Sequence, residues 1–268
     1  MASEHAAFVG SVPELYDRHL GPLFMEPYAR DLAARVTLPA GGRLLELACG
    51  TGRLTRALIA TLPANVLVEA TDLNDAMLEV ARARESAPNV RWSSADALAL
   101  PFEDASFDAA VCQFGVMFFP DKVEAARQVR RVLKRGGSYW FNVWDALAAN
   151  PIGRIANDTI ATFFASDPPV FYQTPFGYND RDRIEADLRA GGFSRVEIDL
   201  VDKQGVAESA GHAAVGLVQG NPVIGAITER ASATPEAVTA AVAAALAREF
   251  GAAPVQAPMR VLVVHAQA

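Results

Sequence analysis

Apolar residues along the first 145 positions come in two alternating rhythms. Short, nearly continuous runs read as buried strands: RLLEL (43–47), VLVEATD (66–72), VRWS (90–93), SFDAAVCQF (106–114) and SYWFNVWD (138–145). Between them the apolar positions return at helical spacing. Helices are predicted over Gly52–Leu62, over Asp75–Glu85 with Met77, Leu78 and Ala81 on one face, and over Asp121–Lys134, closed by Arg135-Gly136-Gly137. Ahead of the first strand, residues 13–36 predict two helical pieces, with Pro13 at a first helical position and Glu26-Pro27 opening the second. Strand–helix alternation of this kind predicts a doubly wound parallel sheet with helices on both faces. In such sheets ligands bind outside the carboxyl ends of the strands.

The rhythm changes after Trp144. Residues 146–178 gather Phe163, Phe164, Phe171, Tyr172, Phe176 and Tyr178 among several prolines. A helix is expected over Asp180–Ala190, ended by Gly191-Gly192, and an alternating, half-buried strand over FSRVEIDLV (193–201). Residues 208–250 read as largely helical, with Thr234-Pro235-Glu236 as a helix start and Gly251 as a stop. RVLVVHA (260–266) predicts a last strand.

Composition narrows the function classes. The 268 residues are 51% apolar, enough for one large α/β domain with insertions. A net charge of −7, with no basic block, argues against nucleic acid or an anionic membrane as partner. Cys49 and Cys112 have neither metal-site nor disulfide spacing and read as buried thiols of a reducing compartment. The first residues lack a secretory signal pattern, and no run of about 18 apolar residues is long enough to span a bilayer. A cytoplasmic protein is expected.

The candidate chemistry lies at the strand ends. In ELACGTGRLT (46–55) a glutamate closes the first strand and a Gly-Thr-Gly turn leads into a helix. Glycines there let a ligand approach the backbone. A dinucleotide fingerprint wants a third glycine three residues after the second, and that position is Thr55. Glu46 would repel a pyrophosphate but favours a cation such as S-adenosylmethionine. Asp72, twenty positions past Gly52, can accept both hydroxyls of a ribose or can serve as a helix cap. Asp96, in a loop after the third strand, can accept the exocyclic amine of adenine, with the Ala97 amide on a ring nitrogen.

Taken together, Glu46-Leu-Ala-Cys-Gly-Thr-Gly52, Asp72-Leu73, Asp96-Ala97-Leu98 with Leu100-Pro-Phe102, and Arg131-Val-Leu-Lys-Arg-Gly-Gly137 resemble the class I S-adenosylmethionine-dependent methyltransferases. The chain looks most like the subgroup (methyltransferase type 11) that includes the ubiquinone/menaquinone-biosynthesis enzymes. The resemblance implies a seven-stranded Rossmann-like sheet with an antiparallel last strand and helical cap insertions. It implies S-adenosyl-L-methionine as cofactor, with Glu46, Ala48, Gly50 and Gly52 bordering the methionine moiety and Asp72 on the ribose. Leu73 and Met77 would lie against the adenine, although Met77 fits core packing equally well. Asp96 and Ala97 would read the adenine edge, while Gln113, Phe114 and Val116 would face the methyl donor and acceptor. A single methyltransferase domain over 1–268 is expected, with an N-terminal helical lid at 1–36; the aromatics of 146–178 suggest a cap insertion with an apolar pocket wall, or equally a small local core, and 205–250 is long enough to complete a cap.

Methyl transfer by in-line displacement needs alignment and exclusion of water, and a base only when the acceptor arrives protonated. Tyr16 resembles an aromatic of the subgroup's N-terminal lid, where it approaches the cofactor; Tyr16 and His19 are the candidate catalytic residues. Tyr16, Phe24, Val116, Phe171 and Tyr178 are candidate acceptor contacts. No cluster has metal-ligand spacing, so no metal is expected. The expected partner is a small, apolar or aromatic methyl acceptor, and a homodimer is a further expectation. Two alternatives stand beside this reading: an NAD-dependent oxidoreductase, and a regulatory protein that binds S-adenosylmethionine without turnover.

Overall fold

The structure, a computed structural model, describes Phe8 and residues 10–268. The start of the expected N-terminal lid lies outside the described residues. Seven strands form one sheet: β1 (Arg43–Glu46), β2 (Leu67–Asp72), β3 (Val90–Ser94), β4 (Phe107–Gln113), β5 (Leu133–Trp144), β6 (Arg195–Ala207) and β7 (Val255–Gln267). Their order is β3-β2-β1-β4-β5-β7-β6. β1 pairs in parallel with β2 and β4, β2 with β3, and β4 with β5, while β7 runs antiparallel to β5. From β1 the chain winds one way to β2 and β3, then returns to β4 and winds the other way. Right-handed crossovers therefore send α3 (Arg53–Thr61) and α4 (Asp75–Arg84) to one face and α5 (Lys122–Val132) to the other. The reversal falls between β1 and β4, where a ligand-binding crevice is expected.

The chain divides into two compact units. One comprises residues 28–144, 178–201 and 261–268, which holds most of the sheet. The middle of β1 and β4 is apolar because both faces are covered: Leu44, Leu45, Ala110, Val111 and Cys112 are all fully buried. α4 and α5 start as their sequences dictate, with Asn74 capping the Ala76 and Met77 amides and Asp121 capping the Glu124 amide. α7 (Arg181–Ala190) is capped by Asp180.

The other unit comprises residues 1–27, 145–177 and 202–260, and so collects most of the residues expected as lid and caps. Its helices are α1 (Val12–Leu15), α6 (Pro151–Ala161), α8 (Ala210–Gln219), α9 (Val223–Arg230) and α10 (Pro235–Phe250). α2 (Glu26–Arg35) leaves this unit and enters the sheet unit. Thr234 caps the Ala237 amide and Gly251 stops α10 at φ +86°, as the sequence predicts.

Several elements differ from expectation: β6 runs on to Ala207, six residues past the expected end, and β7 begins at Val255, five residues before the expected start. The helix expected to reach Lys134 stops at Val132, and Gly136-Gly137 do not close it; they lie inside β5 at a register shift against β4. A Cβ at Gly137 would come within 2.9 Å of the Lys134 carbonyl and 3.0 Å of the Asp108 carbonyl, so the irregular ladder needs a glycine there. The helical region at 13–36 contains a π-helix over Tyr16–Met25, with Pro22 inside it. Proline's ring collides with the carbonyl four residues back in an α-turn, and the wider π-turn relieves that collision. α8 packs on this segment through small residues: a Cβ at Gly216 would stand 2.6 Å from Leu20 Cδ2 and 2.8 Å from His19 Cβ.

Candidate active site

The turn after β1 is built from alternating left-handed residues: Ala48 at φ +49°, Gly50 at +55° and Gly52 at +76°. The two glycines serve different ends. A Cβ on Gly52 would lie 2.7 Å from Trp92 Cη2, so this glycine admits the indole. A Cβ on Gly50 would meet no atom within 4 Å, so its bare backbone faces a cradle that a ligand can enter. The turn is tied to β2 by the Cys49 amide, which donates to the Thr71 carbonyl at 2.9 Å. The Gly50 amide donates to Asp72 Oδ2 at 2.8 Å, and the Asn74 amide to Asp72 Oδ1 at 2.8 Å. Burial raises the Asp72 carboxyl above its usual range, while the Asn74, Gly50 and Leu73 amides favour the ionised form. Each oxygen keeps a lone pair for a further donor, the arrangement that accepts a diol.

Asp72 is thus not the cap of α4; Asn74 is, and Asp72 instead organises the turn. Leu73 beside it is 54% exposed, whereas Met77 on α4 is buried. The loop after β3 joins the same rim, because the Ala95 amide donates to the Asp72 carbonyl at 3.1 Å. In that loop exposed Asp96 binds the Leu98 amide at 2.8 Å, which fixes the Ala97 peptide between them.

Glu46 is buried, and its Oε2 accepts from the Thr55 hydroxyl at 2.7 Å. The residue standing where a dinucleotide site has its third glycine is therefore engaged in holding the glutamate. Burial pushes the Glu46 carboxyl up to about 8, and Thr55 and Arg56 oppose that rise.

Beyond β4, the Phe114 amide donates to Asn142 Oδ1 at 3.0 Å. Phe114 has φ +53°, and its ring stacks on Trp144 at 4.3 Å and meets Tyr28 edge-on at 5.7 Å. Gln113 pairs with Asn142 in the β4–β5 ladder, and Val116 is buried in a 3₁₀ turn. Between them sits Gly115, which sequence reasoning passed over. A Cβ there would lie 2.5 Å from the Ala48 Cβ and 2.6 Å from Cys112 Sγ. Gly115 is what allows the β4 turn to close on the β1 turn. The contacts of Arg131 are a second feature that the sequence did not disclose. Its guanidinium donates to the Leu100, Phe102 and Asp104 oxygens at 2.7–2.8 Å, pinning the loop after β3 to α5. Arg131 opens one of the motifs that carry the resemblance, but nothing in the sequence ties its side chain to the loop after β3.

The structure brings together Glu46, Ala48, Gly50, Gly52 and Asp72, with Leu73, Met77, Asp96, Ala97, Gln113, Phe114 and Val116 on the same strand ends and the elements that follow them. These residues fit S-adenosylmethionine: an open glycine cradle, a diol-accepting carboxylate and a buried acid beside it. Tyr178 belongs to the same unit but packs on α7 and α5, donating to Asp187 Oδ2 at 2.9 Å beneath the Lys122 ammonium. Tyr16, His19, Phe24 and Phe171 belong to the other unit. There the Tyr16 hydroxyl meets Met25 Sδ at 3.1 Å, and Phe24 and Phe171 are buried. The His19 ring lies 4.1 Å from that of His212, and burial, His212 and Arg18 all lower its pKa.

A family model for the methyltransferase domain matches residues 44–137, the stretch that carries this turn, Asp72 and Asp96. The chain carries a methyltransferase domain and is an S-adenosylmethionine-dependent methyltransferase. Its cofactor is S-adenosyl-L-methionine, and the dehydrogenase alternative falls. The methyltransferase is 28% identical over 173 residues to a demethylmenaquinone methyltransferase of Staphylococcus haemolyticus, covering 59% of this chain and 71% of that protein. Solved structures share the fold. YcgJ from Bacillus subtilis superposes with a TM-score of 0.58 at 18% identity, over 90% of this chain and 98% of that one. Phosphoethanolamine N-methyltransferase 2 of Haemonchus contortus, in complex with S-adenosyl-L-methionine, gives 0.62 at 16% identity, over 100% of this chain and 60% of that one. Among the described residues, no helix is long and apolar enough to cross a membrane.

Proposed function

We propose that this methyltransferase acts on a small aromatic acceptor of the hydroxylated, quinol-like kind. The observation that carries the reading is the 28% likeness over 173 residues to a protein named as a demethylmenaquinone methyltransferase. The acidic balance of the chain, −7, favours such an acceptor over nucleic acid.

S-Adenosylmethionine supplies an electrophilic methyl group when bound. The chain's own residues position it and the acceptor. Gly50 and Gly52 offer backbone to the methionine portion, with Ala48 and Glu46 beside it; Asp72 accepts the ribose hydroxyls. Leu73 and Met77 flank the adenine, and Asp96 with the Ala97 amide reads its edge. Gln113, Phe114 and Val116 bound the reacting end. Tyr16 and His19 are proposed as acceptor-side catalytic residues, His19 taking the hydroxyl proton as the ring becomes nucleophilic; the lowered pKa of His19 keeps it neutral and able to accept one. Phe24, Phe171 and Tyr178 are proposed to shape the acceptor's apolar surroundings. The segments at 1–36, 146–178 and 205–250 are proposed as lid and caps of one methyltransferase domain. Alignment of this kind accounts for roughly 7–11 kcal/mol of barrier lowering.

The test is transfer of labelled methyl from S-adenosylmethionine to a panel of quinols, phenols, amines and phosphorylated amino alcohols. Methylation of a quinol or phenol, lost in Asp72→Ala, is expected. Turnover confined to amines or phosphorylated amino alcohols would overturn the acceptor assignment.

A further inference from the structure

Glu46 ends β1 with only 1% of its surface exposed, and Thr55, which donates to it at 2.7 Å, is fully buried. That donor is neutral. The groups facing the carboxyl come from four places: Thr55 and Arg56 on α3, Asp72 at the end of β2, Cys49 in the turn and Cys112 on β4. Arg56 acts on it through space and gives its own Nη1 to the Thr51 carbonyl at 3.0 Å. Asp72 is a second carboxyl, and both thiols stay protonated because burial raises them. The Arg56 cation, acting through space, is thus set against a second acid and full burial. A carboxyl so enclosed keeps its proton rather than its charge.

We propose that Glu46 is a proton-coupled counter-ion: it is protonated in the free protein at neutral pH, and binding of cationic S-adenosylmethionine expels that proton to solvent. Thr55 is the positioning residue, holding the carboxyl toward the turn and favouring its ionised form. The exchange balances: one proton leaves as one net positive charge enters, so the buried site gains no unpaired charge. The rise of the Glu46 carboxyl to about 8 agrees with the geometry. Such coupling also explains why Thr rather than Gly stands at position 55, since a glycine has no hydroxyl to offer. The inference rests on S-adenosylmethionine being the ligand of this turn.

The test is calorimetric titration of the free protein with S-adenosylmethionine between pH 6 and 7, in buffers of different ionisation enthalpy. In that window the ligand's own α-amino group, near 7.7–8.0 in model compounds, stays charged. Wild type is expected to release about one proton per ligand bound, with Kd falling about tenfold per pH unit as pH rises. Glu46→Gln should bind with no such release and a flat profile. Thr55→Val should carry the pH dependence to higher pH, and Thr55→Ser should restore it; a merely structural role for Thr55 would weaken binding equally at every pH. Infrared difference spectra supply a second measurement: a protonated-carboxyl band in the free protein that vanishes on binding. Binding without proton release, or an unchanged profile in Glu46→Gln, would overturn the inference and leave the cofactor assignment standing. Failure to bind S-adenosylmethionine at all would overturn both.

Discussion

Replacing Gly115 by alanine tests how the rim is assembled. The added Cβ would stand 2.5 Å from the Ala48 Cβ and 2.6 Å from Cys112 Sγ. Ordinary carbon contacts are about 3.5–4.0 Å, so each falls short by roughly 1 Å. The sulfur can rotate, but the Ala48 Cβ is fixed to its backbone, and the turn from Ala48 to Gly52 must move. Overpacking of this size costs about 1–3 kcal/mol. Because the displaced turn holds the cofactor cradle, affinity for S-adenosylmethionine should fall at least about tenfold, a loss of about 1.4 kcal/mol. Urea denaturation with an unchanged m-value measures the first quantity and calorimetry the second. The compensating change is Ala48→Gly. It removes the colliding carbon and relieves a left-handed alanine, worth about 1–2 kcal/mol, against about 0.5–1 kcal/mol of added chain entropy. The single Ala48→Gly variant should therefore lie within about 1 kcal/mol of wild type, and the double variant should recover at least half of both losses. A Gly115→Ala protein with wild-type stability and affinity, or a double variant no better than the single, would refute this account of the rim.

Other expectations follow from the same geometry. Gly50→Ala should cost only backbone strain, about 1–2 kcal/mol of stability, yet weaken cofactor binding by more than that, whereas Gly52→Ala should cost more in stability because it meets Trp92; parallel denaturation and binding curves separate them. Asp72→Asn should weaken S-adenosylmethionine binding by about 1.5–3 kcal/mol, the value of a charged hydrogen bond, as read by calorimetry. The free protein should lose stability as pH rises. The Glu46 carboxyl titrates near 8 when folded and near 4.5 otherwise, so its stabilising contribution is complete below about 4.5 and falls by about 1.4 kcal/mol per pH unit toward 8. The wild-type minus Glu46→Gln difference in urea midpoints at pH 5.5 and 7.5 checks that slope. Arg131→Leu should destabilise by about 1–3 kcal/mol through the stranded Leu100 and Phe102 carbonyls, measured by thermal unfolding.

The parallel core of the fold was legible because its strands are buried on both faces and read as near-continuous apolar runs. RLLEL and SFDAAVCQF needed little more than their length and flanking turns. What escaped depends on backbone contacts that leave no trace in periodicity. Gly136-Gly137 look like a helix stop and act instead as an irregularity inside β5. The π-turn at Tyr16–Met25 holds Pro22 and packs closely on Gly216, a partner nearly 200 residues away in sequence. In the site, Glu46 and Asp72 were marked by residue type at a strand end. Gly115 was invisible because its requirement comes from Ala48, far off in the chain. Thr55 was noticed only as a missing glycine, and its hydroxyl explains why the glycine is missing.

β7 carries a further consequence. It lies between β5 and β6, although it comes latest in the chain of the seven. Until residues 255–267 leave the ribosome, β6 has no neighbour to pair with and the outer side of β5 stays an open template for stray association. Biosynthesis of this sheet therefore ends with a wedge driven home between two waiting strands, and the nascent protein is most vulnerable to aggregation in the seconds just before that.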